Sequence, residues 1–245
     1  MIDSYFVTTF NKKIYKEYGS RFLETFIKTD QLIPLFCYVE EDDFSIYPQN
    51  KNITYLNLYN ESSNLIEFVQ RFKSRKSPPE PRKHTINDDD ALKFSYKVHA
   101  QHAAKNIGKK MFYVDFDCVF IKQIPLDWYE SFISDCDFAY YPRKKYTETG
   151  FIGFNVENEI VQEFFDRYIS LYAEDTLFDL EDGYHDCIAF DSTLKAFPTR
   201  TEKTYGNGKS HTMPYCPVLS PYIDHRKGDR KHYLNSPEWL NPNMR

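Results

Sequence analysis

The residues best equipped for chemistry lie in Met111-Phe-Tyr-Val-Asp-Phe-Asp-Cys-Val-Phe120, where an apolar run meets Asp115 and Asp117 and then resumes. Apolar, aromatic and β-branched residues in this density read as a buried strand. In an extended chain residues i and i+2 face the same way, so the two carboxylates project together and Phe116 points away. Paired carboxylates at the end of a buried strand repel each other and lose solvation. A hard divalent cation relieves both penalties, and the oxygens of a diphosphate complete its shell. Two other acid pairs serve as controls. Asp88-Asp89-Asp90 precedes a helical pattern and reads as acids complementing a helix N-terminus. Asp135 and Asp137 precede the strand-like Phe138–Tyr141, whereas ligands of open α/β sheets bind beyond the carboxyl ends of strands. Only Asp115 and Asp117 close their run at that end.

The elements that must position them follow from periodicity. Tyr5–Thr9, Leu35–Val39 and Ile53–Leu58 read as strands. Tyr15–Lys28, Leu65–Phe72 and Ala91–Asn106 read as helices, the last leading into the acid-bearing strand. Leu126–Ile133, Glu159–Tyr172 and Asp186–Ala196 are further helices, and Phe138–Tyr141 and Gly150–Val156 further strands. The basic stretch Lys73–His84, broken by three prolines, reads as an exposed loop. From Phe197 onward Pro, Gly and Asn predict irregular chain. Alternating strands and helices predict an α/β fold with a mixed, mostly parallel central sheet flanked by helices.

Composition narrows the function. With 41% hydrophobic residues and 21 Phe, the 245-residue chain can bury a sizeable core. A net charge of −5 gives no general attraction to nucleic acid or anionic membranes. Five scattered cysteines without a C-x-x-C predict reduced thiols and a cytoplasmic setting. No segment approaches the roughly 18 apolar residues of a membrane helix.

Four strings, in this order, resemble the GT-A nucleotide-sugar glycosyltransferases. They are Lys93-Phe-Ser-Tyr-Lys-Val-His99 before the D-x-D strand, Glu148-Thr-Gly-Phe-Ile-Gly-Phe-Asn155, Tyr184-His-Asp-Cys-Ile-Ala-Phe-Asp191, and His225-Arg-Lys-Gly-Asp-Arg-Lys231. The last is similar to the H-x-x-G-x-x-K signature of the glycogenin-like and lipopolysaccharide galactosyltransferase-like retaining enzymes. One departure stands beside it: His185-Asp186 stands where those enzymes carry Asp-Gln-Asp. The resemblance implies one GT-A-like domain over residues 1–245, a nucleotide-binding half (1–120) followed by a sugar and acceptor half (121–245).

It also implies roles. Asp115, Asp117 and His225 would bind metal, with Asp115 also meeting the donor. Thr8, Thr9 and Phe10 would seat the base at the end of the first strand. Lys97, Gly150 and Asn155 would line the donor sugar or phosphate, and Gly228 and Lys231 the diphosphate. Asp186, then Asp191, would act on the sugars. Two carboxylates and an imidazole suit Mn²⁺ somewhat better than Mg²⁺. The expected activity is transfer of a sugar from a nucleoside diphosphate sugar, UDP favoured, to an acceptor hydroxyl, with retention implied by the H-x-x-G-x-x-K string. The alternatives are a nucleotidyltransferase, which usually carries a glycine-rich basic loop after its first strand, or a non-catalytic nucleotide-sugar-binding module. Thr8-Thr-Phe-Asn-Lys-Lys13 contains no glycine.

Overall fold

In the first strand, β1 (Ile2–Phe10), Tyr5, Phe6 and Val7 are all fully buried. A strand reads as an unbroken apolar run when it has neighbours on both edges and cover on both faces. The computed structural model describes residues 2–74, 90–206, 213 and 216–232. β1 pairs in parallel with β2 (Leu35–Val39) and β4 (Gly108–Val114), and β3 (Ile53–Asn57) joins β2 in parallel. Beyond β4 the direction changes. β7 (Thr147–Asn155) is antiparallel to β4 and to β6 (Phe138–Pro142), and β8 (Glu202–Thr204) lies parallel to β6. The described order is β3-β2-β1-β4-β7-β6-β8. A small ribbon pairs β5 (Cys118–Phe120) with β9 (Ile223–His225).

Helices cover both faces. The Asn11 side chain accepts the Ile14 N–H at 2.9 Å and caps α1 (Lys12–Ile14). That turn runs through a π-helical segment, Tyr15–Gly19, into α2 (Ser20–Lys28). There follow α3 (Leu58–Glu61), α4 (Ser63–Ser74), α5 (Asp90–Ala104), α6 (Leu126–Ile133), α7 (Glu159–Ala173) and α8 (Asp186–Leu194). None of the described helices is long and apolar enough to cross a membrane. All five cysteines are buried free thiols.

The pleat sorts the core into two layers. Phe6, Phe112 and Val114 face one way, against Phe22 and Phe26 of α2 and Tyr129 of α6. Tyr5, Val7, Met111 and Tyr113 face the other, against Val98 of α5 and Phe164 of α7. Extending the β4 alternation by one residue aims Asp115 at the α5 face and Phe116 at the α2 face. Phe116 stacks on Phe10 with centroids 3.6 Å apart. Its ring fills the space above Gly19, where an added Cβ would lie 2.1 Å from Cε1. The aromatic between the two acids thus ties the end of β4 to β1 and the π-helical segment.

Several boundaries differ from those read in the sequence. The helix over Tyr15–Lys28 is divided by the π-helical segment. The strand over Gly150–Val156 begins three residues earlier, at Thr147, and runs antiparallel. The chain after Phe197 is largely irregular but contributes β8 and β9. From residue 75 the proline-broken basic stretch lies outside the described residues, as do Asp88 and Asp89.

Candidate active site

The carboxyl ends of β1 and β4 open onto a cleft of about 380 Å³. Asp115, Asp117, Lys97, Glu148, Asp186, His225 and Lys231 all line it. The two D-x-D acids do not sit on an extended strand as expected. β4 ends at Val114, and the Cys118 N–H donates to the Asp115 carbonyl at 3.0 Å, so Asp115–Cys118 is a turn between β4 and β5. The carboxylates therefore diverge onto different partners.

Asp115 turns to α5, as the β4 alternation requires. The Lys97 ammonium donates to its Oδ1 at 2.8 Å and lies 2.6 Å from Asp186 Oδ2. Lys97 also sits 4.7 Å from the centroid of the Tyr113 ring. Asp186 opens α8 and accepts a hydrogen bond from the Thr149 hydroxyl at 2.6 Å. Burial pulls the Lys97 pKa down, but Asp115 and Asp186 outweigh it and hold it above its ordinary value. Burial pushes Asp186 up, and Lys97 with the Thr149 hydroxyl brings it below the usual range. For Asp115 burial wins, assisted by the Asp117 charge, and its pKa is raised despite Lys97.

Asp117 turns to the C-terminal ribbon. Cys118 stands opposite His225 in the β5–β9 pair, and the Arg226 N–H donates to the Asp117 carbonyl at 3.0 Å. These backbone bonds bring His225 Nε2 to 2.9 Å from Asp117 Oδ1. The other ring nitrogen, Nδ1, is 3.4 Å from Glu148 Oε1. The Lys227 ammonium donates to Glu148 at 2.8 Å, and Arg143 lies 3.9 Å away. Burial lowers the His225 pKa, but the Asp117 carboxylate overrides it and lifts the value to about 9. Burial raises Asp117, yet His225 leaves it lowered; the same opposition, with His225 and Lys227 winning, puts Glu148 well below its usual range.

Other expected residues fall as follows. Gly150 is at the centre: its carbonyl accepts the Asp115 N–H at 2.9 Å, and a Cβ there would lie 2.6 Å from His225 Cε1. Gly228 has φ +62°, a left-handed conformation, with nothing within 4 Å of an added Cβ. Lys231 lies over the Tyr18 ring, 4.8 Å from its centroid. Thr9 lines both this cleft and an adjoining cavity of about 680 Å³, where Phe10, Ile14 and Tyr96 form part of the wall.

Five expected residues are not among those lining the main cleft: Gly150 and Phe10, placed above, and Thr8, Asn155 and Asp191. Thr8 is fully buried in the sheet, on the opposite side of β1 from Thr9. Asn155 pairs with Lys110 at the far end of β7, because that strand is antiparallel and only its beginning reaches the acids. Asp191 accepts the Thr147 N–H at 3.0 Å and lines a separate cleft with Tyr140 and Tyr146. Conversely, sequence reasoning assigned no role to Glu148, Thr149, Arg143, Lys227 or Tyr18. No local signal marked Glu148, which lies between Thr147 and Thr149 at the start of β7.

The donor set fits a divalent cation. Asp117 and His225 already present an oxygen and a nitrogen 2.9 Å apart, and Asp115, held by Lys97, lines the same cleft. Among the described residues, Asp117, Cys118 and His225 have ligand atoms mutually within 4.8 Å. The Cys118 thiol donates to the Gly150 carbonyl at 3.8 Å, and burial pushes its pKa well up.

At the level of sequence, no family model and no curated protein matches the chain. Solved structures do. The structure of apo mouse xyloside xylosyltransferase 1 superposes with a TM-score of 0.52 at 9% identity, covering 83% of this chain and 85% of that one. Galactosyltransferase LgtC in complex with donor and acceptor sugar analogues gives 0.53 at 11% identity, covering 91% and 87%. An active-site mutant of LgtC gives 0.54 at 12%, with the same coverage. With the mixed sheet and its flanking helices, these likenesses show that the chain has the GT-A glycosyltransferase fold.

Proposed function

We propose that this chain is a metal-dependent glycosyltransferase that moves a sugar from a nucleoside diphosphate sugar, UDP favoured, to an acceptor hydroxyl. The observation that carries the reading is the approach of His225 to 2.9 Å from Asp117 across more than a hundred residues of chain. The cleft in which they meet shares Thr9, Ile14 and Lys93 as lining with the adjoining cavity. Asp115, Asp117 and His225 would hold Mn²⁺ or Mg²⁺, which would neutralise charge developing on the leaving diphosphate. Lys231 adds a cation beside the same acids, and Gly228 lets backbone approach a phosphate. Thr9 and Phe10 would frame the base.

Asp186 would face the sugar, where its carboxylate, held ionised by Lys97, stabilises positive charge at the anomeric carbon. Each carboxylate of the cleft is already ion-paired: Asp115 and Asp186 with Lys97, Asp117 and Glu148 with His225. Among the described residues, none of these carboxylates stands free as a strong base for the acceptor hydroxyl, and this favours retention over inversion. Calorimetric titration of the whole chain with UDP, with and without Mn²⁺, tests the metal role. A donor-hydrolysis assay then separates turnover from binding. Metal-dependent UDP binding that disappears in Asp117→Asn and His225→Ala, with hydrolysis by the wild type, supports the reading. Binding without turnover makes the chain a nucleotide-sugar-binding module; UDP affinity indifferent to metal and to both substitutions rejects the proposal.

A further inference from the structure

Glu148 has no role of its own in the reading above, yet it is among the most buried charges of the described residues, with 2% of its side chain exposed. A carboxylate so placed is costly unless it is fully paired. Its partners converge from two directions. Within β7, the Gly150 N–H donates to Oε1 at 3.1 Å. From the β9 segment come His225 Nδ1, at 3.4 Å from Oε1, and the Lys227 ammonium, at 2.8 Å from Oε2. The imidazole is thus gripped between two carboxylates: Nε2 lies 2.9 Å from Asp117, and Nδ1, a buried nitrogen that makes no hydrogen bond here, lies 3.4 Å from Glu148.

The grip depends on Gly150. A Cβ at that position would lie 2.6 Å from His225 Cε1, 2.8 Å from Nδ1 and 2.9 Å from Glu148 Oε1. The missing side chain is the space in which ring and carboxylate meet. Turning the ring over would set a carbon against each carboxylate, so the pair of acids selects one orientation. An imidazole that binds a cation through one nitrogen is held in the correct tautomer when the other N–H has a carboxylate to receive it.

We infer that Glu148 is a positioning residue for the metal site: it receives the Nδ1–H of His225 and so keeps the Nε2 lone pair directed at the cation held with Asp117. Glu148 touches neither cation nor donor in this role. The inference rests on the metal reading of Asp117 and His225 and adds to it a residue that acts only through the ring. A purely structural ion pair is the competing account, in which Glu148 exists to hold Lys227 and the C-terminal segment in place.

The two accounts part at Lys227. The probe is Mn²⁺ alone, titrated into the whole chain and followed by the electron paramagnetic resonance of the free ion. Glu148→Gln keeps size and shape; it should bind Mn²⁺ about 10–100-fold more weakly than wild type. Glu148→Asp, which keeps the charge, should recover part of that loss. Lys227→Met removes the nearest competing cation, leaving Glu148 to His225, the Gly150 N–H and the more distant Arg143, and should bind Mn²⁺ as tightly as wild type or more tightly, whereas a structural pair predicts loss in both. Loading with Co²⁺ adds a spectroscopic signature: a strongly shifted, exchangeable ring N–H resonance in the wild type that vanishes in Glu148→Gln. Wild-type Mn²⁺ affinity in Glu148→Gln, or equal losses in Glu148→Gln and Lys227→Met, overturns the inference and leaves the metal site standing. Absence of Mn²⁺ binding by the wild type, with UDP present or not, defeats the metal reading and this inference with it.

Discussion

Metal binding at this site should release a whole proton over a pH range in which an ordinary imidazole releases little. His225 is 3% exposed, and the Asp117 carboxylate lifts its pKa to about 9. Ligation needs the neutral ring, so the cation must displace the Nε2 proton. At pH 7 a group titrating at about 9 is about 99% protonated, whereas an unperturbed histidine near 6.5 is only about 24% protonated. Two pH units at about 1.36 kcal/mol each give ~2.7 kcal/mol, so affinity at pH 7 should lie about 100-fold below its alkaline plateau. Between pH 7 and 8.5 it should rise nearly tenfold per unit. Titration calorimetry of Mn²⁺ in two buffers of different ionisation enthalpy counts the protons directly. The expected count at pH 7 is close to one per ion, falling toward zero in His225→Ala. The same shift sets a stability trend. Because the folded-state pKa is raised, the imidazolium stabilises the metal-free protein fully below about pH 6.5, and that contribution, ~3 kcal/mol at most, is lost as pH climbs through about 9. A proton count of about 0.2 at pH 7, with affinity flat from pH 7 to 8.5, would refute the argument that Asp117 and Glu148 clamp a charged ring.

Three further substitutions probe the cleft. Lys97→Met leaves the buried Asp115 and Asp186 carboxylates without their shared cation; chemical denaturation should show a loss of about 3–5 kcal/mol. Asp186→Asn keeps acceptors for Lys97 and Thr149 but removes the charge, so stability should fall by about 1–3 kcal/mol. In the same variant sugar transfer should drop by orders of magnitude while UDP affinity holds, the split expected of an interaction made mainly in the transition state. Gly150→Ala puts a methyl group against the His225 ring; the chain should stay folded by circular dichroism and lose Mn²⁺ affinity.

What the sequence disclosed about this site follows a physical division. β4 was legible because its apolar run is continuous and its acids come at the end, and its alternation alone sends Asp115 toward α5 and Phe116 toward α2. His225, Gly228 and Lys231 were legible as a spacing, since a glycine with positive φ between a histidine and a lysine is a local requirement. β7 was legible as a strand but not in direction. Its first eight residues are buried on both faces, so nothing in the pattern tells which end meets the acids. Gly150 and Asn155 therefore looked equivalent, and only the antiparallel pairing with β4 puts one at the centre and the other far away. β8 and β9, at three residues each, are too short for alternation to register. The least legible residues were Glu148, Thr149 and Lys227. Each acts through a partner 37 to 79 positions away in the chain, so no local pattern distinguishes it from a solvated polar residue. The acids that repel one another announce a site in one dimension; the charges that make their burial tolerable become visible only when the sheet brings their partners together.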